Sequence, residues 1–141
     1  MKKYITFLLS LLILIGNSFI GKAFAFDDEN PLFVTITAQS CYSCQKLKPV
    51  VKNLEENYQG RITFITLDVS SKNSIQESKE TASQYGLDEF FDKNKNTLPK
   101  VGIICPGGKK VENEFLGEIN QEVYEKALDG LLADSAQLCS L

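Results

Sequence analysis

The chain has 141 residues, 15 basic and 18 acidic, with four cysteines and neither histidine nor tryptophan. The missing histidine excludes a Ser-His-Asp triad, a Cys-His pair and every histidine metal site, so any chemistry must run on cysteine, carboxylate, lysine or tyrosine. A net charge of −3, with its basic clusters, around 46–52 and 93–100, short and mixed with other residues, argues against a nucleic-acid surface, because phosphate contacts need clustered Lys and Arg.

The first residues read as a targeting segment. Lys2 and Lys3 form a basic start, and residues 5–15 are apolar apart from Thr6 and Ser10. Ala23 and Ala25 place small residues at −3 and −1 of a cut before Phe26, the layout of a secretory signal peptide. The expectation is a signal peptide over 1–25, a single domain over 26–141, and export to the periplasm or another extracytoplasmic space. The alternative is an uncleaved membrane anchor within residues 4–20. A span needs about 20 apolar residues, and Gly16, Asn17 and Ser18 interrupt the run early. Cleavage would leave 12 basic against 18 acidic residues, net −6. Outside the cytoplasm disulfides persist. Cys41, Cys44, Cys105 and Cys139 then fit two disulfides, or one disulfide and a reactive pair.

Residues 31–37, PLFVTIT, are apolar and β-branched and predict a strand. From Cys41 to Tyr58 the period is helical, with Leu47, Val50, Val51, Leu54 and Tyr58 on one stripe. Pro49 lies inside that helix and should kink it, and Gly60 is placed to end it. Residues 61–69 predict a second strand. Ser74 to Glu77, SIQE, reads as a capping box opening a short helix to about Tyr85, with Gly86 as its stop. Residues 88–99 read as a polar loop ending at Pro99. Residues 100–105 predict a third strand, 106–108 a turn and 110–117 a fourth strand. A last helix is expected over 119–133. The order β-α-β-α-β-β-α implies an α/β fold, a four-stranded mixed sheet with helices on both faces and a right-handed crossover joining the first two strands.

Cys41 and Cys44 stand at the start of the first helix. A thiol attacks a disulfide only as thiolate, and free cysteine has a pKa near ~8.5. The first helical turn carries unpaired N–H groups and a partial positive charge, which stabilise a thiolate there. Attack by Cys41 would give a mixed disulfide, and attack by Cys44, one turn later, would release the substrate. Cys-x-x-Cys is also compatible with an inert staple or half of a zinc site.

The segment FVTITAQSCYSCQKLKPVVKNLEENYQGRITFITLDV resembles the active-site half of thioredoxin. It shares the strand before the pair, a proline five residues after the second cysteine (Pro49), the YQG helix ending and the strand that follows. TLPK resembles the thioredoxin loop whose proline is cis and faces the cysteines, and the later glycine turn, hairpin and final helix also match. The resemblance covers roughly residues 31–132 and implies a minimal thioredoxin-like fold with the second strand at a sheet edge. It implies that Cys41 is the nucleophile and Cys44 the resolving thiol and that Leu98 and Pro99 present backbone to the substrate chain; Tyr42 and Ser43, between the cysteines, are read as further substrate-binding residues that also tune the potential. Lys100 is read as a solvated surface lysine. The family's buried acid falls on Thr35 and its lysine partner on Thr66, so both buried charges are replaced together. In the thioredoxin arrangement Cys105 and Cys139 reach the pole opposite Cys41, which implies a Cys105–Cys139 structural disulfide and argues against a four-cysteine zinc site.

The expected activity is therefore an exported thiol–disulfide oxidoreductase acting on protein thiols and disulfides together with a redox partner protein. It needs no metal and no cofactor beyond the Cys41–Cys44 disulfide, does not engage nucleic acid, meets a membrane only if the first segment is uncleaved, and acts as a monomer. The alternative is a non-catalytic binding or assembly module in which Cys41–Cys44 is an inert staple.

Overall fold

The computed structural model of the protein describes residues 29–140. The signal peptide and the alternative anchor lie outside the described residues. Among the described residues four strands, β1 (Leu32–Thr37), β2 (Thr63–Asp68), β3 (Lys100–Ile104) and β4 (Val111–Leu116), are interleaved with four α-helices, and a single 3-10 turn spans Pro106–Gly108. These are α1 (Tyr42–Asn57), α2 (Lys72–Gln84), α3 (Asp88–Asn94) and α4 (Gln121–Leu138). The sheet order is β2-β1-β3-β4. β1 pairs parallel with β2, and the other two pairings are antiparallel. As the sequence implies, the sheet is mixed and β2 lies at an edge.

β1 is central, and its alternation serves two cores. Phe33 packs with Leu47 and Leu54 of α1 and with Tyr124, Leu128 and Leu131 of α4. Leu32, Val34 and Ile36 face the other way, toward Ala82 of α2 and Phe90 and Phe91 of α3. A strand covered by helices on both faces must be apolar on both, which is why PLFVTIT reads as a continuous run rather than an alternating one.

Residues 88–94 correct the reading of a polar loop, because they form α3. The segment carries only two large apolar residues among charged ones, but both Phe90 and Phe91 are buried. The sheet makes room for them at Gly102, where a Cβ would lie 2.6 Å from the Phe90 ring. Asn94, also buried, donates from Nδ2 to the Phe90 carbonyl at 2.9 Å, and so closes the short helix from within.

Two other boundaries differ. α2 is capped at Ser71, not Ser74: the Ser71 hydroxyl accepts from the Ser74 N–H at 3.1 Å and the Ser74 hydroxyl accepts from the Ser71 N–H at 2.8 Å. Ser74 therefore fills the reciprocal place that Glu77 was expected to hold. α4 continues to Leu138 with non-helical dihedrals at Asp134, and Cys139 is its C-cap. Val111 and Leu116 belong to the fourth strand but stay exposed, since β4 is an edge. α1 runs unbroken through Pro49.

Candidate active site

β1 leads directly into the site. After Thr37 the chain turns, the Cys41 N–H donating to the Ala38 carbonyl at 3.2 Å. Cys41 then takes an extended conformation (φ −88°, ψ 110°) as the N-cap of α1. Its sulfur accepts from the Cys44 N–H at 3.2 Å, the place a capping oxygen would occupy. No acidic residue stands in the first turn of α1. The unpaired N–H groups and the helix dipole therefore act on Cys41 unopposed from within the helix, and both favour its thiolate.

Cys41 and Cys44 are joined as a disulfide with Cα atoms 5.2 Å apart. Cys41 is half-buried, whereas Cys44 is only 4% exposed. Of the two sulfur-bearing residues, Cys41 is thus the one more open to an incoming group. Tyr42 is 70% exposed beside the pair, and the Lys46 ammonium lies 4.6 Å from its ring centroid. Ser43 is partly buried.

The loop before Cys41 is held by a polar clamp that the sequence did not reveal. The Gln39 N–H donates to the Ser70 hydroxyl at 2.8 Å, and the Gln45 side-chain amide donates to the Gln39 carbonyl at 2.9 Å. Asp68, at the end of β2, accepts from both the N–H and the hydroxyl of Ser70. The nearest sequence signal is the Asp-x-Ser spacing after a strand, which is common in turns and points to no particular partner.

Leu98 and Pro99 lie at the same end of the sheet. Lys100 is opposite Ile36 in the β1–β3 register, so the two preceding residues extend toward the end from which β1 enters the cysteine loop. The Leu98–Pro99 peptide is cis. Pro99 is buried, and its carbonyl accepts from the Gly117 N–H at 2.9 Å. Lys100 corrects its reading as a solvated lysine. Its side chain is 12% exposed and its ammonium is 2.6 Å from the Glu114 carboxylate, which Lys93 of α3 also meets at 3.2 Å. The hydrogen bond from Lys100 holds the Glu114 carboxyl below its ordinary range.

Beneath the pair, between α1 and the sheet, lies a cleft of about 870 Å³ lined by Cys44, Thr35, Thr66 and Asp68 among others. Thr35 and Thr66 face each other across the β1–β2 register. Thr35 is 5% exposed, and its hydroxyl oxygen has no hydrogen-bond partner.

The other two cysteines sit at the far end. Ile104 is opposite Leu32, the start of β1, and Cys105 follows it, 1% exposed. Cys105 is bonded to Cys139 with a Cα separation of 5.5 Å. The four cysteines therefore do not converge, and among the described residues no group of three or more Cys, Asp or Glu could hold a metal ion.

Comparison with known proteins matches this arrangement. The family model described as Thioredoxin covers residues 19–102, more than half of the chain. The chain belongs to the thioredoxin family. Thioredoxin M4, chloroplastic, of Arabidopsis thaliana is 26% identical over 108 residues, 77% of this chain and 48% of that protein. Thioredoxin of Synechocystis sp. is 29% identical over 86 residues, 61% of this chain and 66% of that protein. Thioredoxin 2 of Chlorobaculum tepidum is 27% identical over 119 residues, 77% of this chain and 94% of that protein. The chain thus spans about half the length of the Arabidopsis relative. Within this thioredoxin fold, the cysteine pair, the cis proline and the start of the crossover helix α1 lie at one end of the sheet.

Proposed function

We propose that the protein is an exported thiol–disulfide oxidoreductase that exchanges disulfides with protein substrates. One observation carries this reading. Cys41 places a reachable sulfur on the N-terminus of α1 while its disulfide partner Cys44 is buried behind it. Starting from the dithiol, the Cys41 thiolate attacks one sulfur of a substrate disulfide. A mixed disulfide forms, and the other substrate sulfur leaves as thiolate and takes up a proton. Cys44 loses its proton and attacks the Cys41 sulfur. The Cys41–Cys44 bond closes and the second substrate sulfur leaves. The substrate gains two electrons and the pair loses them; the reverse sequence oxidises a substrate dithiol. A redox partner protein must then reset the pair. Tyr42, exposed beside Cys41, and the Leu98–Pro99 segment, at the same end of the sheet, are the residues this reading assigns to the substrate chain.

Export is supported by the basic start, the apolar run and the small residues before Phe26. N-terminal sequencing of protein recovered from outside the cytoplasm should begin at Phe26. A start at Met1 in a membrane fraction would favour the anchor.

The activity is tested by turnover of a disulfide-bonded protein substrate with a small thiol as reductant. Cys41→Ser should abolish turnover, and Cys44→Ser should accumulate a mixed disulfide. Turnover that survives Cys41→Ser ends the assignment. Absence of turnover in the unmodified protein, with a pair that resists reduction, favours the inert staple.

A further inference from the structure

Among the described residues Thr35 differs from the other buried polar side chains, Ser78 and Asn94, both of which are hydrogen-bonded. It sits in the central strand, 5% exposed, and its hydroxyl meets no acceptor or donor while Cys41 and Cys44 are bonded. A buried hydroxyl left unpaired is destabilising, so a site that keeps one needs a reason. Thr35 shares its cleft with Cys44. In the disulfide the Cys44 sulfur carries no proton and little charge, so it is a poor partner. In the dithiol it becomes either an S–H donor or a charged S⁻ acceptor, and the hydroxyl can serve both.

We infer that Thr35 is a positioning residue whose hydroxyl pairs with the Cys44 sulfur, directly or through one water in the cleft, only when the Cys41–Cys44 bond is open. Its unpaired state in the disulfide and its paired state in the dithiol both favour the reduced form. Thr35 thereby raises the reduction potential of the pair and steadies the Cys44 thiolate before it attacks. The opposing residue, Thr66, carries no charge, and the charged residues that line the cleft, Lys48, Lys52, Glu55 and Asp68, are the same in every variant compared below. The inference rests on the oxidoreductase reading.

The exchange to measure is protein dithiol plus glutathione disulfide giving protein disulfide plus two glutathione thiols. The unmodified protein is compared with Thr35→Val, which keeps the shape and removes the hydroxyl, and with Thr35→Ser, which restores it. Thr35→Ala serves as a second hydroxyl-free variant should the valine form fold poorly. The hydroxyl-free variants should shift the equilibrium about tenfold toward the disulfide, which is ~30 mV for a two-electron couple. Thr35→Ser should return it to near the unmodified value. A purely packing role would weaken both redox forms alike and leave the equilibrium in place. An unchanged constant in Thr35→Val, or a shift toward the dithiol, overturns the role of Thr35 alone. An unmodified pair that never equilibrates with glutathione overturns the oxidoreductase reading and this inference together.

Discussion

Replacing both Cys105 and Cys139 by alanine should cost the fold about 4 kcal/mol. The bond closes a loop with a sequence separation of 34, and loop-closure entropy for that length corresponds to ~3.8 kcal/mol at 25 °C. The loop holds β4 and all of α4, the two elements that otherwise join the sheet through one edge strand and one helix face. The bond thus confines the part of the chain with the fewest other restraints. Much of the effect belongs to the unfolded chain, so the native contacts of Tyr124 and Leu128 should persist in the variant. Urea unfolding, with Cys41–Cys44 kept oxidised in both proteins, measures the difference. The midpoint should fall while the denaturant slope stays equal or rises, since the released chain expands further. At about 4 °C per kcal/mol for a domain of this size, the melting temperature should drop by about 15 °C. A loss below about 1 kcal/mol would refute the reasoning, because the bond would then not be restricting the unfolded ensemble.

Gly102→Ala should destabilise by about 1–3 kcal/mol in urea unfolding, because the new methyl would stand 2.6 Å from the Phe90 ring in a filled core. Combining it with Phe90→Leu should cost less than the sum of the two changes, whereas simple additivity would place the clash elsewhere. Lys100 and Lys93 depress the Glu114 carboxyl, so the folded state favours its charged form. That contribution is complete above the ordinary glutamate range and is lost as pH falls through the lowered folded value, so stability measured against pH should show an acid limb that Glu114→Gln removes. Tyr58 is pushed up to about 12 by burial and by its hydrogen bond to Asp129. The unfolded chain therefore ionises first, and stability should decline from near pH 10 toward pH 12, less steeply in Tyr58→Phe. Ser71→Ala should cost about 1 kcal/mol through the lost α2 cap, and an equal loss in Glu77→Ala would return the cap to its sequence-read position.

What the sequence displayed and what it concealed follow from where each signal lies. β1 and α1 were legible because their apolar residues repeat at the period of their own element, and because Cys41, Cys44, Pro49 and Pro99 stand at informative spacings along the chain. α3 was hidden because its two buried rings are adjacent among charged residues, so seven residues display no helical stripe. What makes it a helix is non-local: an opening at Gly102 on another strand and an ion pair from Lys93 to Glu114 on β4. The α2 cap was misplaced for a related reason. Serine and glutamate both satisfy the capping pattern, and two overlapping readings compete over residues 71–77. The site divides along the same line. Cys41 and Cys44 are neighbours in sequence and share one helix start. The clamp on their loop joins residues 39 and 70, and the unpaired Thr35 hydroxyl is defined only by what three dimensions fail to bring to it. Which pair reacts can therefore be read along the chain, whereas the balance between its two redox states rests on contacts made across the sheet and its cleft.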